Sequence, residues 1–141
     1  MQKKSNSRRK LNRRQLRDLD VEIGFMEGVV RRDPQFIEAL QVLGDDYTRR
    51  GRFDESLNVD ERLALLRPTD PMAFYNLACS YALNQQIERA AAALSKAIDR
   101  GYRDFSYLRK DPHLENLRRH PLFKKTQAKI RSLKVKEVRL K

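Results

Sequence analysis

Three features of the sequence predict an all-α fold. Apolar residues recur at helical spacing of three and four positions along most of the chain. Only 5 glycines and 5 prolines interrupt the 141 residues, and no run of β-branched residues alternates as a strand would. Helix-start signals repeat: Asp33-Pro34 and Asp70-Pro71 each pair a capping carboxylate with a proline, a residue suited to the first helical position.

In chain order, Met1 to Arg14 has Leu11 as its one strong apolar residue besides the initiator. It cannot bury enough surface to order itself, which predicts a disordered basic arm over 1–14. A helix is expected from Gln15, with Leu16, Leu19, Ile23, Met26 and Val30 on one face and Phe25 and Val29 widening it. Arg31 and Arg32 suit its C-terminal end, and Pro34 stops it by Asp33. Asp33-Pro34 then opens a second helix with Leu40, Leu43, Gly44 and Tyr47 as packing face, ended by Gly51. Phe53, Leu57, Leu63 and Leu66 mark its partner, closed by Pro68.

The most regular stretch runs from Pro71 to Arg100. Phe74, Leu77, Ala78 and Tyr81 share a face, and after an Asn84–Gln86 turn so do Ile87, Ala90, Ala91, Leu94, Ala97 and Ile98. The alanines let two helix backbones approach closely, and Gly101 is a natural stop. Beyond it lie an aromatic cluster (Tyr102, Phe105, Tyr107, Leu108), a turn from Asp111-Pro112 with Leu114 and Leu117, and a last helix from His120-Pro121 holding Leu122, Phe123 and Ile130. Residues 131–141 alternate only imperfectly and are expected to be disordered or extended.

One domain fits this length. No apolar run could span a bilayer, and no apolar stretch follows the basic start, so no signal peptide is expected. The single Cys79 has no disulfide partner, which points to a reducing, cytoplasmic address. The net charge of +12 is uneven: residues 1–17 hold eight Lys/Arg and no acid, and 124–141 hold eight with Glu137 the only acid. The +8 and +7 of these ends leave −3 on residues 18–123. A mildly acidic centre is flanked by basic arms.

Spacing then speaks to the family. Gly44 and Ala78, Leu43 and Leu77, Tyr47 and Tyr81, Leu63 and Ala97, and Pro34 and Pro68 are each 34 positions apart. Leu40-x2-Leu43-Gly44-x2-Tyr47, and Phe74-x2-Leu77-Ala78-x2-Tyr81 with Ala90-x3-Leu94, resemble the tetratricopeptide repeat. The resemblance implies a right-handed solenoid of helix pairs over 15–130. It comprises a leading helix, repeats at 37–70 and 71–104, and a cap at 105–130. The ending GYRDFSYLRKDPHLENLRRHPLF is similar to that of small bacterial proteins of this family, with Leu114, Leu117 and Phe123 capping the last repeat. One departure is Asp60, where the pattern expects a large apolar residue; it sits either at a rim or in a buried link to an arginine or to Tyr47 or Tyr81.

The family implies protein–protein interaction along a groove made by the first helices. By position that groove takes Glu38, Gln41, Asp45 and Thr48, then Met72, Tyr75, Asn76 and Cys79. Only Asn76 fits the carboxylate clamp that some members carry, and a groove edged by Glu38, Asp45 and Asp46 is expected to prefer a neutral or basic ligand. Catalysis finds no support: His113 and His120 neighbour prolines at helix starts, and no metal, phosphate-loop or nucleophile-elbow motif is present. The expected function is a non-catalytic adaptor without cofactor or metal, binding a protein or peptide. The alternative is an RNA- or ribosome-associated protein whose arms contact phosphates through Arg8, Arg9, Lys10, Arg13, Arg14, Lys124, Lys125, Lys129, Arg131, Lys134 and Lys136. Such contact carries little sequence information and needs no membrane insertion.

Overall fold

The computed structural model describes residues 10–140, and every regular element among them is helical. The first helix, α1 (Arg13–Arg32), begins two residues before the expected Gln15 because Asn12 caps it. The Asn12 side chain accepts from the Gln15 amide at 2.8 Å, and the Gln15 side chain accepts from the Asn12 amide at 2.9 Å. This reciprocal pair satisfies two orphan donors of the first turn. Arg13 and Arg14 therefore belong to a helix rather than to a disordered arm, and positions 1–9 lie outside the described residues.

The next helices are α2 (Ile37–Arg50) and α3 (Phe53–Leu66). Contrary to expectation, Asp33-Pro34 does not open α2: Asp33 instead accepts from the Gln35 amide at 3.3 Å in a turn, and Phe36 holds the N-cap position. Gly51 ends α2 in the left-handed region at φ 83°, which a Cβ-bearing residue enters at a cost. Asp70 does cap α4 (Pro71–Leu83), accepting from the Met72 amide at 2.9 Å. After a turn through Gln85, α5 (Ile87–Asp99) runs to Gly101 at φ 114°.

Each of these five helices packs on the next in sequence. Leu19, Ile23, Leu40, Leu43, Val59 and Leu63 form one buried cluster between α1, α2 and α3. Phe74, Tyr75, Ala78, Leu94 and Ile98 anchor a second between α4 and α5. The register repeats. Helices begin at 37 and 71, and at 53 and 87, each pair 34 positions apart. The same bond recurs at the same displacement: the Tyr47 hydroxyl donates to Glu27 at 2.5 Å, and the Tyr81 hydroxyl to Glu61 at 3.0 Å.

The C-terminal third continues the order in broken form. Short α6 (Phe105–Leu108), a 3-10 turn at Pro112–Leu114 and α7 (Glu115–Arg118) replace one long helix, and α8 (Phe123–Leu140) follows. Phe105 starts 34 positions after Pro71. Tyr102, Phe105, Leu108, Leu114, Leu117, Phe123 and Ile130 join the second cluster, and Tyr102 stacks on Tyr75 at 4.3 Å. The expectation of a disordered or extended stretch after 130 is corrected, because α8 reaches Leu140. Phe123, Thr126 and Ile130 are buried, with Leu133 packed beside them at helical spacing. Lys129 bonds Ser95 at 2.8 Å and pairs with Asp99 at 2.5 Å, and Arg103 pairs with Glu137 at 3.1 Å. These cross-links tie a lysine-rich helix to the body.

Candidate functional site

The expected groove residues come from α2 and α4, and the structure divides them into two groups. Glu38 is exposed, while Gln41, Asp45 and Met72 are half-buried. Gln41, Met72 and Asn76 line one narrow cleft with Asp60, Arg67 and Asp70. Thr48, Tyr75, Asn76 and Cys79 are buried, and that corrects their assignment to an open surface. Thr48 turns inward, its hydroxyl bonding the Gly44 carbonyl at 3.1 Å and Ser56 at 2.6 Å. Tyr75, 1% exposed, donates to Asp111 at 2.6 Å, and the Cys79 thiol reaches the same oxygen at 3.6 Å. The chain's own Asp111–Leu114 segment thus covers that part of α4, and sequence position alone could not reveal this cover.

Asp60 takes the buried alternative, but with a partner that sequence reading did not name. It is 3% exposed and accepts from the Ser80 hydroxyl at 2.5 Å. Gly44 makes the room: a Cβ there would lie 3.2 Å from both Asp60 Oδ1 and Val59 Cγ1. Ser56 adds a bond to the Gly44 carbonyl at 3.0 Å. A small polar seam therefore runs between α2, α3 and α4, and its donors are matched.

Asp46 occupies the equivalent of Ser80, and Glu22 that of Ser56, each 34 positions earlier. Burial, a hydrogen bond with Glu22 and the charges of Glu22 and Asp45 push the Asp46 carboxyl from 3.8 to about 8. Folded Asp46 keeps a proton that the unfolded chain releases near its ordinary value. Its contribution to stability is complete below about pH 4, falls as pH rises, and is lost above about 8. Asp46→Asn should accordingly stabilise the fold more at pH 9 than at pH 5, the gain growing by about 1.4 kcal/mol per pH unit up to about pH 8. Urea melts at both pH values measure this, and equal shifts at both would sink the assignment.

Cys79, Asp111 and His113 also meet, with His113 Nδ1 3.6 Å from Asp111 Oδ1. None of the three exceeds 5% exposure, so no substrate reaches them. Asp111 is committed to Tyr75 and to capping the 3-10 turn through the His113 amide at 3.0 Å. His120 is exposed, its Nδ1 accepting from the Leu122 amide at 3.1 Å. Among the described residues, no group of three His, Cys, Asp or Glu is placed to hold a metal ion, and no helix is long and apolar enough to cross a membrane.

The candidate phosphate-binding residues also divide. Lys10, Arg13, Arg14, Lys124, Lys125, Arg131, Lys134 and Lys136 are exposed. Lys129 is half-buried and engaged with Ser95 and Asp99, which removes it from that set. Arg8 and Arg9 lie outside the described residues. Exposed Arg139, which sequence reading passed over, joins the row along α8.

No family model matches the chain. No solved structure matches it either. The chain is similar to a chloroplastic protein of Arabidopsis thaliana, with 33% identity over 96 residues. That match covers 66% of this chain and 27% of the relative, so the chain spans about a quarter of that protein's length.

Proposed function

We propose that the chain is a non-catalytic adaptor of the tetratricopeptide kind, binding a protein or peptide segment along α2 and the start of α4. The observation that carries this is the doubled 34-residue register, present both in helix starts and in the Tyr47–Glu27 and Tyr81–Glu61 bonds. A recurrence of this kind marks stacked helix pairs, which offer one continuous face. Glu38, Gln41, Asp45 and Met72 are the accessible part of that face, and its two carboxylates favour a basic or neutral ligand. A reducing compartment suits the buried Cys79 thiol; the Arabidopsis relative is chloroplastic, and a chloroplast compartment fits as well as a cytoplasm.

A second reading rests on α8. Lys124, Lys125, Arg131, Lys134, Lys136 and Arg139 stand exposed along one 18-residue helix, a surface suited to the phosphates of RNA. Cutting off 124–141 would not test it cleanly, because buried Thr126 and Ile130 would go too. Charge reversal is the better tool. In a pull-down, Glu38→Lys with Asp45→Lys should abolish capture of a basic peptide, while reversal at Lys124, Lys125, Lys134 and Lys136 leaves it intact. Retention of capture by the first variant would move the interaction off this face. If RNA is bound instead, log K should fall against log salt with a slope of roughly −4 for about six single-stranded phosphates, and the α8 reversal should remove binding. A flat salt response would exclude the second reading.

A further inference from the structure

Comparing positions 34 residues apart isolates one surface that neither reading uses. Val59 on α3 is 7% exposed and lies against Gly44 of α2. The equivalent Ala93 on α5 is 8% exposed, in the cluster shared with α4. The equivalent on α1 is Phe25, which is 68% exposed. Val21, one turn earlier, is 73% exposed, and both Gly24 and Gly28 have open space where a Cβ would stand. The preceding helix that covers α3, and again α5, has no counterpart over α1 among the described residues.

The pattern around Phe25 indicates what covers it. Exposed Val21 and half-buried Val29, whose inner side packs on the α1–α3 cluster, stand four residues to either side, and Asp18 and Arg32 seven. On a helix these five positions lie close to one line. The line reads the same from either end except that its two charges are opposite. Two copies laid antiparallel about Phe25 would bring Phe25 onto Phe25, Val21 onto Val29, and Asp18 onto Arg32 twice. A two-fold interface has this property: residue i meets j and j meets i. The glycines let the two backbones come close, as Gly44 does between α2 and α3. Asp18 and Arg32 are both exposed, so their pairing across the interface needs no rearrangement of the body.

We propose that the chain forms a symmetric homodimer through the α1 face centred on Phe25, each copy covering the face that the described residues of the other leave open. Sedimentation equilibrium of the full chain over a range of concentrations tests this. A reversible dimer is expected. Phe25→Glu should render it monomeric with an unchanged helical spectrum, since Phe25 contributes to the surface and not to the core. Asp18→Arg alone should weaken the dimer about tenfold through its two symmetric contacts, and adding Arg32→Asp should restore it. A wild-type monomer at all concentrations, a dimer indifferent to Phe25→Glu, or a double charge reversal without rescue would each overturn the proposal. Peptide capture by the Phe25→Glu monomer keeps this outcome separate from that of the adaptor reading.

Discussion

A chain ending at Gly101 should lose cooperative thermal unfolding altogether. The cut removes Tyr102, Phe105, Leu108, Leu114, Leu117, Phe123 and Ile130, all buried in the cluster that holds Leu94 and Ile98. Burying one such side chain contributes about 1.5–3 kcal/mol, whereas a whole domain retains only about 5–15 kcal/mol of net stability. Seven losses, together with newly exposed faces of α4 and α5, are comparable to that whole margin. Differential scanning calorimetry should show no sharp transition for the fragment, and hydrophobic dye binding should rise. A chain ending at Leu133 is the control: it keeps every buried residue of α8 and should melt close to the intact protein. Equal cooperativity in the Gly101 fragment would mean that the segment after Gly101 is an appendage, not a cap.

The helices were legible because their apolar positions recur at helical spacing over a dozen or more residues, which local chemistry reads without tertiary help. The all-helical class and the boundaries at Gly51, Asp70 and Gly101 follow from such local signals. Asp33-Pro34 misled because Asp33 is the C-cap of α1, three positions before the N-cap at Phe36, where the next repeat has Arg67-Pro68; Asp70, by contrast, stands at the N-cap position itself. The tail misled for another reason. Its apolar residues are sparse among lysines, and its helix is secured by Lys129–Asp99 and Arg103–Glu137, pairings between residues far apart in sequence. The groove was half legible. Gln41 and Met72 line one cleft, but which of the expected members stay open depends on Asp111, 36 residues beyond Tyr75.

That dependence makes Asp111→Ala a strongly damaging substitution. Its carboxylate is 1% exposed and accepts from the Tyr75 hydroxyl, the Cys79 thiol and the His113 amide, at 2.6, 3.6 and 3.0 Å. Its backbone carbonyl accepts from the Arg118 guanidinium at 2.6 Å, which also holds the Leu108 carbonyl at 3.0 Å. Burial, then the neighbouring Cys79 and Asp111 charges, raise the Tyr75 ionisation far above the ordinary tyrosine range, so its hydroxyl remains a donor throughout the accessible pH range. Removing the carboxylate strands that donor, at about 1–3 kcal/mol, and uncaps the turn, at about 1 kcal/mol more. Asp111→Ala should therefore cost about 3 kcal/mol in urea unfolding, and Asp111→Asn less, because an amide oxygen can still accept. Tyr75→Phe should cost about 2 kcal/mol in the wild type and almost nothing in the Asp111→Ala background, a coupling that additive contributions cannot give. Additivity would mean that the Tyr75–Asp111 bond contributes nothing. Coupling would also settle how groove variants are chosen: Tyr75→Ala damages the fold, so loss of binding at the α2–α4 face must be sought at Glu38, Gln41, Asp45 and Met72.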